Sequence, residues 1–449
     1  MSLLRCAIFF TLLVNCCWGW TISSKGSVLV SFPYSSSVLE NADGTHDVTI
    51  SQFDPVPRTK DQVLVVRDVG KQLSRLGGGF ALKTEVLIDN IRAPNEVGFV
   101  PGDVLDRDDL WWVSSGYPEI TKKSGFVSVI ESKAELGVNL TAPTYDITSL
   151  ALSLQDRRIY NRVQFVQSLD LHPGAMTSRF HIALDGNMTC EMVWLKNPLL
   201  GDPLSEWFAW EETVLFSGPD VYFSYAEYNL TYEIRNSTLS GIKRFVIVST
   251  QFFSNKLVVS WVDGLPDFKK LKHRVIASDP NERFYDSQII DLNGDGNLDI
   301  LVSCSNHENG KLIAYESPLS WERGIWRKHV IHDGFAPPGL GLLESMGSPG
   351  SPLALFPSIN ENRKKPMIFL SGKDDGKVYA FEAVDDDDST NWSYSNHTIY
   401  TSPLGSVGKI SAADVTGDGD IEIFIPAYAA GMFNTYSYNH RGISLPPFP

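Results

Sequence analysis

A chain of 449 residues with 43 % apolar and 20 % charged side chains has the composition of a folded protein with room for a sizeable core, which excludes a disordered chain. Its formal charge of −15 repels phosphate backbones, so nucleic acid is not an expected partner.

The chain begins with one positive charge in Met1–Arg5, an apolar run Cys6–Val14, and small residues in Cys17-Trp18-Gly19 at the positions a signal peptidase reads. This pattern predicts a signal peptide over 1–19 and a mature chain over 20–449. The apolar run is too short to span a bilayer comfortably. No later stretch is long and apolar enough to do so, and the Pro-Pro-Phe-Pro tail is no lipid-anchor signal. The expected location is therefore extracellular, with no transmembrane anchor. Six sequons agree with a secreted glycoprotein: Asn139, Asn187, Asn229, Asn236, Asn391 and Asn396 each open an Asn-x-Ser/Thr triplet. Cleavage would leave Cys190 and Cys304 of the five cysteines. They fall in different repeats, so two free thiols are expected rather than a bridge.

Along the chain, short runs rich in Val, Ile, Phe and Tyr are bounded by Gly, Pro, Asn and Asp. Examples are Val63–Val66, Phe126–Ile130, Phe245–Val248, Ile300–Val302, Met367–Leu370 and Ile421–Ile425, which read as strands. They recur in one order. In His273–Glu316 a strand leads to Ser287–Ile290, an acidic loop, a buried strand from Ile300, a turn and Gly310-Lys-Leu-Ile-Ala-Tyr-Glu. The order repeats from His397 to the end of the chain, and a weaker copy between them ends in Gly376-Lys-Val-Tyr-Ala-Phe-Glu. Fainter copies precede these, giving seven units with loop starts near 54, 103, 170, 230, 291, 359 and 414. β-rich repeats of this length predict an all-β fold, a seven-bladed β-propeller of four-stranded antiparallel blades.

Two loops carry chemistry. Asp291, Asn293, Asp295 and Asp299 stand at positions 1, 3, 5 and 9 of one, with glycines at 4 and 6 and the Asn297 carbonyl at 7. Asp414, Thr416, Asp418 and Glu422 repeat the spacing, with Asp420 at position 7. Calcium takes six to eight oxygens in flexible geometry, and crowded carboxylates repel one another without a cation. An EF-hand is excluded, because position 12 is Val302 or Ile425 within an apolar run where that motif needs Glu and a helix.

Both loops, each followed by a buried strand, resemble the FG-GAP/VCBS repeat, the calcium-loop blade of integrin α-subunit-like propellers. The resemblance is specific over 273–316 and 397–438 and fades elsewhere. It implies two structural Ca²⁺ sites, held by the side chains of Asp291, Asn293, Asp295 and Asp299 with the Asn297 carbonyl, and by those of Asp414, Thr416, Asp418 and Glu422 with the Asp420 carbonyl. It does not extend to the loop after Asp103, where Leu105, Arg107 and Trp111 replace ligands, or to Ile359–Met367, where Arg363 and Met367 do.

No Gly-x-Ser-x-Gly elbow, His-Glu-x-x-His, phosphate loop or dinucleotide fingerprint occurs in the chain. The expected role is an extracellular binding module for a protein or glycan. The turns Tyr117–Ser124 and Asn281–Tyr285 and the pair Phe252-Phe253 are expected to contribute to its surface. The alternative is a carbohydrate-active enzyme, a polysaccharide or sugar lyase or dehydratase, using groups such as Glu282, Arg283, His307 and Glu308. Trp111-Trp112 and Trp207–Trp210 read as blade packing, and Asp385–Asp388 as a solvated insertion.

Overall fold

A computed structural model describes residues 20–54, 61–75, 81–117, 125–132, 142–148, 157–166, 173–182, 188–198, 210–234, 237–264, 267–338, 347–356 and 363–439. Their strands form seven four-stranded antiparallel sheets. Blade 1 comprises Pro33–Glu40, His46–Gln52, Asp61–Val66 and Glu85–Ile91. Blade 2 comprises Pro94–Phe99, Leu110–Ser115, Val127–Glu131 and Thr144–Asp146. Blade 3 runs through Arg157–Val166, Gly174–Ile182, Met188–Lys196 and Glu211–Ser217. Blade 4 follows with Phe223–Ile234, Ser237–Gln251, Lys256–Asp263 and Lys272–Ser278. Blade 5 has Phe284–Ile290, Asp299–Cys304, Gly310–Glu316 and Arg327–Phe335, and blade 6 has Pro352–Leu355, Met367–Ser371, Lys377–Ala383 and Tyr394–Thr401.

Blade 7 draws on both ends of the chain. Ser411–Ala413, Ile421–Ala427 and Met432–Asn439 are completed by Thr21–Leu29, which pairs antiparallel to Met432–Asn439 with Ser27 opposite Asn434. A propeller left one strand short would expose an open edge. The sequence carries a strand before the first repeat and lacks one after the last, and pairing the two closes the ring. Trp20 secures the join by stacking on Tyr438, ring centroids 5.6 Å apart.

The middle strands of a blade are covered on both faces by neighbouring blades. They therefore need apolar residues on both sides, and Asp299–Cys304, Leu110–Ser115 and Ile421–Ala427 are buried throughout. The core is accordingly a circle of interfaces between blades. Val246, Val259 and Trp261 of blade 4 meet Phe284, Val302 and Ile313 of blade 5. Adjacent Trp111 and Trp112 point to opposite interfaces, toward blades 1 and 3 respectively, as a period of two requires. Both are packing residues, as is buried Trp210; residues 207–209 lie outside the described part. Cys190 and buried Cys304 are free thiols in blades 3 and 5.

Two repeat boundaries are corrected: the start near 230 falls inside Phe223–Ile234, the first strand of blade 4, and the start at 54 falls one strand too late. The acidic turn at Asp54 follows the second strand of blade 1. The connection matching the calcium-type loops is 41–45, between the first and second strands. Both turns are acidic and lead into strands, so pattern alone did not separate them. Among the described residues no helix is long and apolar enough to cross a membrane.

Candidate functional site

Each first strand runs along the propeller axis, and its two ends present different chemistry. The end that leads into the second strand carries the acidic loops. The start carries a cavity.

Loop 291–299 is folded by its own carboxylates. Asp291 accepts hydrogen bonds from the Gly294 and Gly296 amides, each at 2.8 Å. Asp295 accepts from the Asn297 amide at 2.8 Å. Loop 414–422 repeats this, with Asp414 accepting from Gly417 and Gly419 at 2.8 and 2.9 Å, and Asp418 from Asp420 at 2.9 Å. Glycine is required at these turns, since φ is +75° and +86° at Gly294 and Gly296 and +72° and +86° at Gly417 and Gly419. The ninth position reaches back in both loops. Asp299 accepts from the Leu292 amide at 3.1 Å, and Glu422 from the Val415 amide at 3.1 Å.

Each loop also plugs into the next blade. Leu292 is buried among Ile368, Leu370 and Phe381 of blade 6. Val415 packs with Val69 and Leu73 of the short helix Val69–Arg75 in blade 1. A Cβ at Gly70 would stand 2.0 Å from the Val415 carbonyl oxygen, so that helix and the blade 7 loop are in direct backbone contact. Ordering either loop fastens two blades together.

Among the described residues no group of three or more His, Cys, Asp or Glu side chains is gathered as a metal cluster; the carboxylates engage backbone amides instead. The electrostatics nevertheless fit a hard cation. Burial pushes the Asp299 carboxyl up to about 7, and Asp295 and Asp291 add to the effect. Burial does the same to Glu422, also to about 7, with Asp418 and Asp414 contributing. The Glu422 Oε1 atom is buried with no hydrogen-bond partner. The Ser437 hydroxyl beside it opposes the shift without reaching bonding geometry. A cation would meet that oxygen and relieve the repulsion.

Two other blades carry cations of their own. In blade 2, Arg107 donates to Asp109 at 2.9 and 2.7 Å and to Glu131 at 3.2 Å. In blade 6, the Lys365 ammonium is held by the carbonyls of Asp385, Asp388 and Asn391 at 2.6, 2.6 and 2.7 Å. Lys365 is 1 % exposed, and burial lowers its pKa against the pull of the neighbouring aspartates. The Asp385–Asp388 run thus wraps a lysine from the same blade. Lys365→Met is expected to destabilise the chain by about 1–3 kcal/mol in chemical denaturation, because three carbonyls lose the donor they converge on.

At the opposite end of the first strands lies a cavity of ≈ 340 Å³ walled by Tyr34, Phe53, Tyr117, Tyr222, Tyr285 and Tyr428, with Lys373, Asp374 and Lys409. Beneath it the blades are tied through charge. Arg162 of blade 3 donates to Glu96 of blade 2 at 3.1 and 3.2 Å, to Asp286 of blade 5 at 2.9 Å twice, and to the Phe223 carbonyl of blade 4 at 2.6 Å. Lys409, just before blade 7, bonds Glu96 and lies 3.5 Å from Asp286. Burial alone would raise both carboxyls, but Arg162 and Lys409 outweigh it and hold Glu96 and Asp286 below their ordinary values. Arg162 and Lys409 also sit over the Tyr222 ring, at 4.8 and 4.9 Å.

Some sequence candidates converge here. Tyr117 and Tyr285 line the cavity, and Phe252 packs on Tyr285 at 6.2 Å; residues 118–124 lie outside the described part. Glu282 does not converge. It is buried and paired with Lys311 and Lys328. Arg283 is exposed over the Phe252 ring at 5.6 Å, and His307 and Glu308 are exposed. Of the sequon asparagines, Asn229 and Asn396 are exposed and Asn391 is half-buried. Asn139, Asn187 and Asn236 lie outside the described residues.

No family model and no curated protein matches the chain. Solved structures are similar over most of its length. One is BBS1N, crystallised in complex with ARL6DN, at 9 % identity and TM-score 0.47, covering 94 % of this chain and 98 % of that one. Another is the GH93 α-L-arabinofuranosidase of Fusarium graminearum, at 12 % and 0.44, covering 93 % and 98 %. Drosophila Semaphorin 2a follows at 8 % and 0.40, covering 94 % and 77 %. At these identities nothing about activity follows.

Proposed function

We propose that the chain is a secreted, calcium-binding β-propeller glycoprotein of the FG-GAP/VCBS kind, acting as an extracellular binding module whose ligand enters the axial cavity. The observation that carries this reading is the cavity itself, a concave aromatic wall above charges already neutralised by one another. Such a wall, with a few convergent polar groups, has the character of a ligand pocket. Calcium on the two acidic loops would act at a distance, by fixing blades 5 and 7 to their neighbours. The signal-peptide pattern of residues 1–19 and the exposed sequons Asn229 and Asn396 support the secretory route.

The alternative, a carbohydrate-active enzyme, draws less support. A hydrolase would need a carboxyl held protonated near neutrality, whereas a lyase or dehydratase would need a base placed to take a proton from the sugar ring. The two carboxylates beneath the cavity are paired and held ionised.

The test is a glycan and protein binding screen on the full secreted chain, in calcium and in chelator, with Tyr285→Ala alongside. Binding is expected to weaken at least about tenfold in Tyr285→Ala, the loss typical of a well-packed aromatic anchor. Binding that ignores Tyr285 would remove the cavity from the proposal. New unsaturated or reducing ends released from a polysaccharide would favour the enzyme.

A further inference from the structure

Lys373 stands out among the cavity residues. Six described residues other than glycine adopt positive φ, and Lys373, at +58°, is the one that lines the cavity. It begins the short 3-10 turn Lys373–Asp375. The turn holds its backbone firmly: the Lys373 carbonyl accepts from the Gly376 and Val407 amides at 3.2 and 2.8 Å, and its own amide donates to Ser371 Oγ at 3.2 Å. Left-handed backbone favours glycine or asparagine, and a long side chain there is strained. Local folding therefore gives no reason for lysine. What lysine adds is an ammonium 5.1 Å from the centre of the Tyr285 ring.

The charges in the cavity select the sign of a ligand. A cation would be refused, since the Tyr222 ring already faces Arg162 and Lys409 and the Tyr285 ring faces Lys373. Lys409 is committed to Glu96 and Asp286. Lys373 is less committed. Its carboxylate partner Asp374 lies at 3.5 Å, and that carboxylate already accepts from the Gly347 amide at 2.8 Å. The walls select the body of the ligand. Tyr34, Tyr117 and Tyr428 are half-buried, offering apolar faces with hydroxyls at their tips. The Tyr222 hydroxyl stands beside those of Tyr34 and Tyr285 and offsets part of the rise that burial imposes on them. The volume, ≈ 340 Å³, equals that of about eleven liquid waters, enough for one ring with substituents.

Resting on the cavity reading above, we propose that the site binds a carboxylated ring, its carboxylate on the Lys373 ammonium and its faces against the tyrosine wall. An acidic sugar and an aromatic acid share this chemistry. The test is calorimetric titration of the full secreted chain, in calcium, with sodium D-glucuronate and sodium benzoate, against D-glucose and benzyl alcohol as neutral counterparts. At least one acid is expected to bind at least about tenfold more tightly than its neutral partner, since a charge-assisted hydrogen bond is lost with the carboxylate. Glucuronate alone would identify an acidic sugar, and benzoate alone an aromatic acid. Lys373→Asn is expected to abolish the preference while melting at or above the wild-type temperature, because asparagine tolerates positive φ. That combination separates ligand binding from a structural role. The proposal is overturned if neither acid binds, if the neutral partners bind equally well, or if Lys373→Asn leaves the preference intact. Screen ligands that depend on Tyr285 but not on Lys373 would overturn the acidic ligand and leave the cavity reading standing.

Discussion

Arg162→Ala is expected to destabilise the chain by about 3–5 kcal/mol, the loss typical of breaking a buried ion pair from one side. Without the guanidinium, buried Glu96 and Asp286 keep only the Lys409 ammonium between them, and the Phe223 carbonyl loses its donor. Blades 2, 3, 4 and 5 are joined at that one group. Arg162→Lys keeps the charge and loses the paired geometry toward Asp286, so it should fall between the two. The same network predicts the acid limb of stability. Glu96 and Asp286 lie below their ordinary values of 4.5 and 3.8 in the folded state. Their contribution is complete above those values and is lost as pH falls through the folded-state values. Arg162→Ala should therefore flatten the acid limb as well as lower it. Denaturant melts of both variants, repeated from neutral to acid pH, measure this. A midpoint for Arg162→Ala matching wild type would show that the network contributes no stability.

The acidic loops and six of the blades could be read from the sequence because each is written in one contiguous stretch; blade 7 alone takes a strand from the other end of the chain. Asp291 to Asp299 needs no partner elsewhere to be recognised, and the strand that follows announces itself by its apolar run. The cavity is written differently. Tyr34, Glu96, Arg162, Tyr222, Asp286 and Lys409 come from successive repeats and meet only because the ring closes. A faint signal existed. Asp286 and Lys409 each sit five residues before the first aspartate of their loop, so aligning the repeats would have placed opposite charges at equivalent axial positions. Arg162 gave no such signal, because its repeat is stretched. Glu282 failed as a sugar-binding candidate for a related reason. It looks like a solvated turn residue, yet Lys311 and Lys328 reach it from the third and fourth strands of its own blade, a pairing set by strand register.

Calcium is expected to raise the melting temperature through two sites, and more strongly at pH 8 than at pH 5. Extracellular modules bind calcium with dissociation constants of about 10⁻⁴–10⁻³ M. At a free concentration of about ten times that constant, one site adds about 1.4 kcal/mol, and two independent sites about twice as much. The pH dependence follows from the carboxyls at the ninth position. Asp299 and Glu422 are raised from 3.8 and 4.5 to about 7 in the metal-free fold. Between those limits the folded chain holds protons that the unfolded chain has released. Metal-free stability therefore falls as pH rises from about 4 to 7. A bound cation favours the ionised carboxylates and cancels that fall, so the gain from calcium grows over the same interval. Asp295→Ala and Asp418→Ala should each remove about half of the gain, since each cripples one site and leaves the other. Arg107→Ala should lower the baseline by releasing Asp109 and Glu131 while leaving the gain from calcium unchanged. The measurement is thermal melting of wild type and the three variants, in chelator and in millimolar calcium, at both pH values. Equal wild-type melting temperatures in chelator and calcium at pH 8 would show that the loops are acidic turns held by their own amides. An equal gain at the two pH values would show that Asp299 and Glu422 are not where the cation acts.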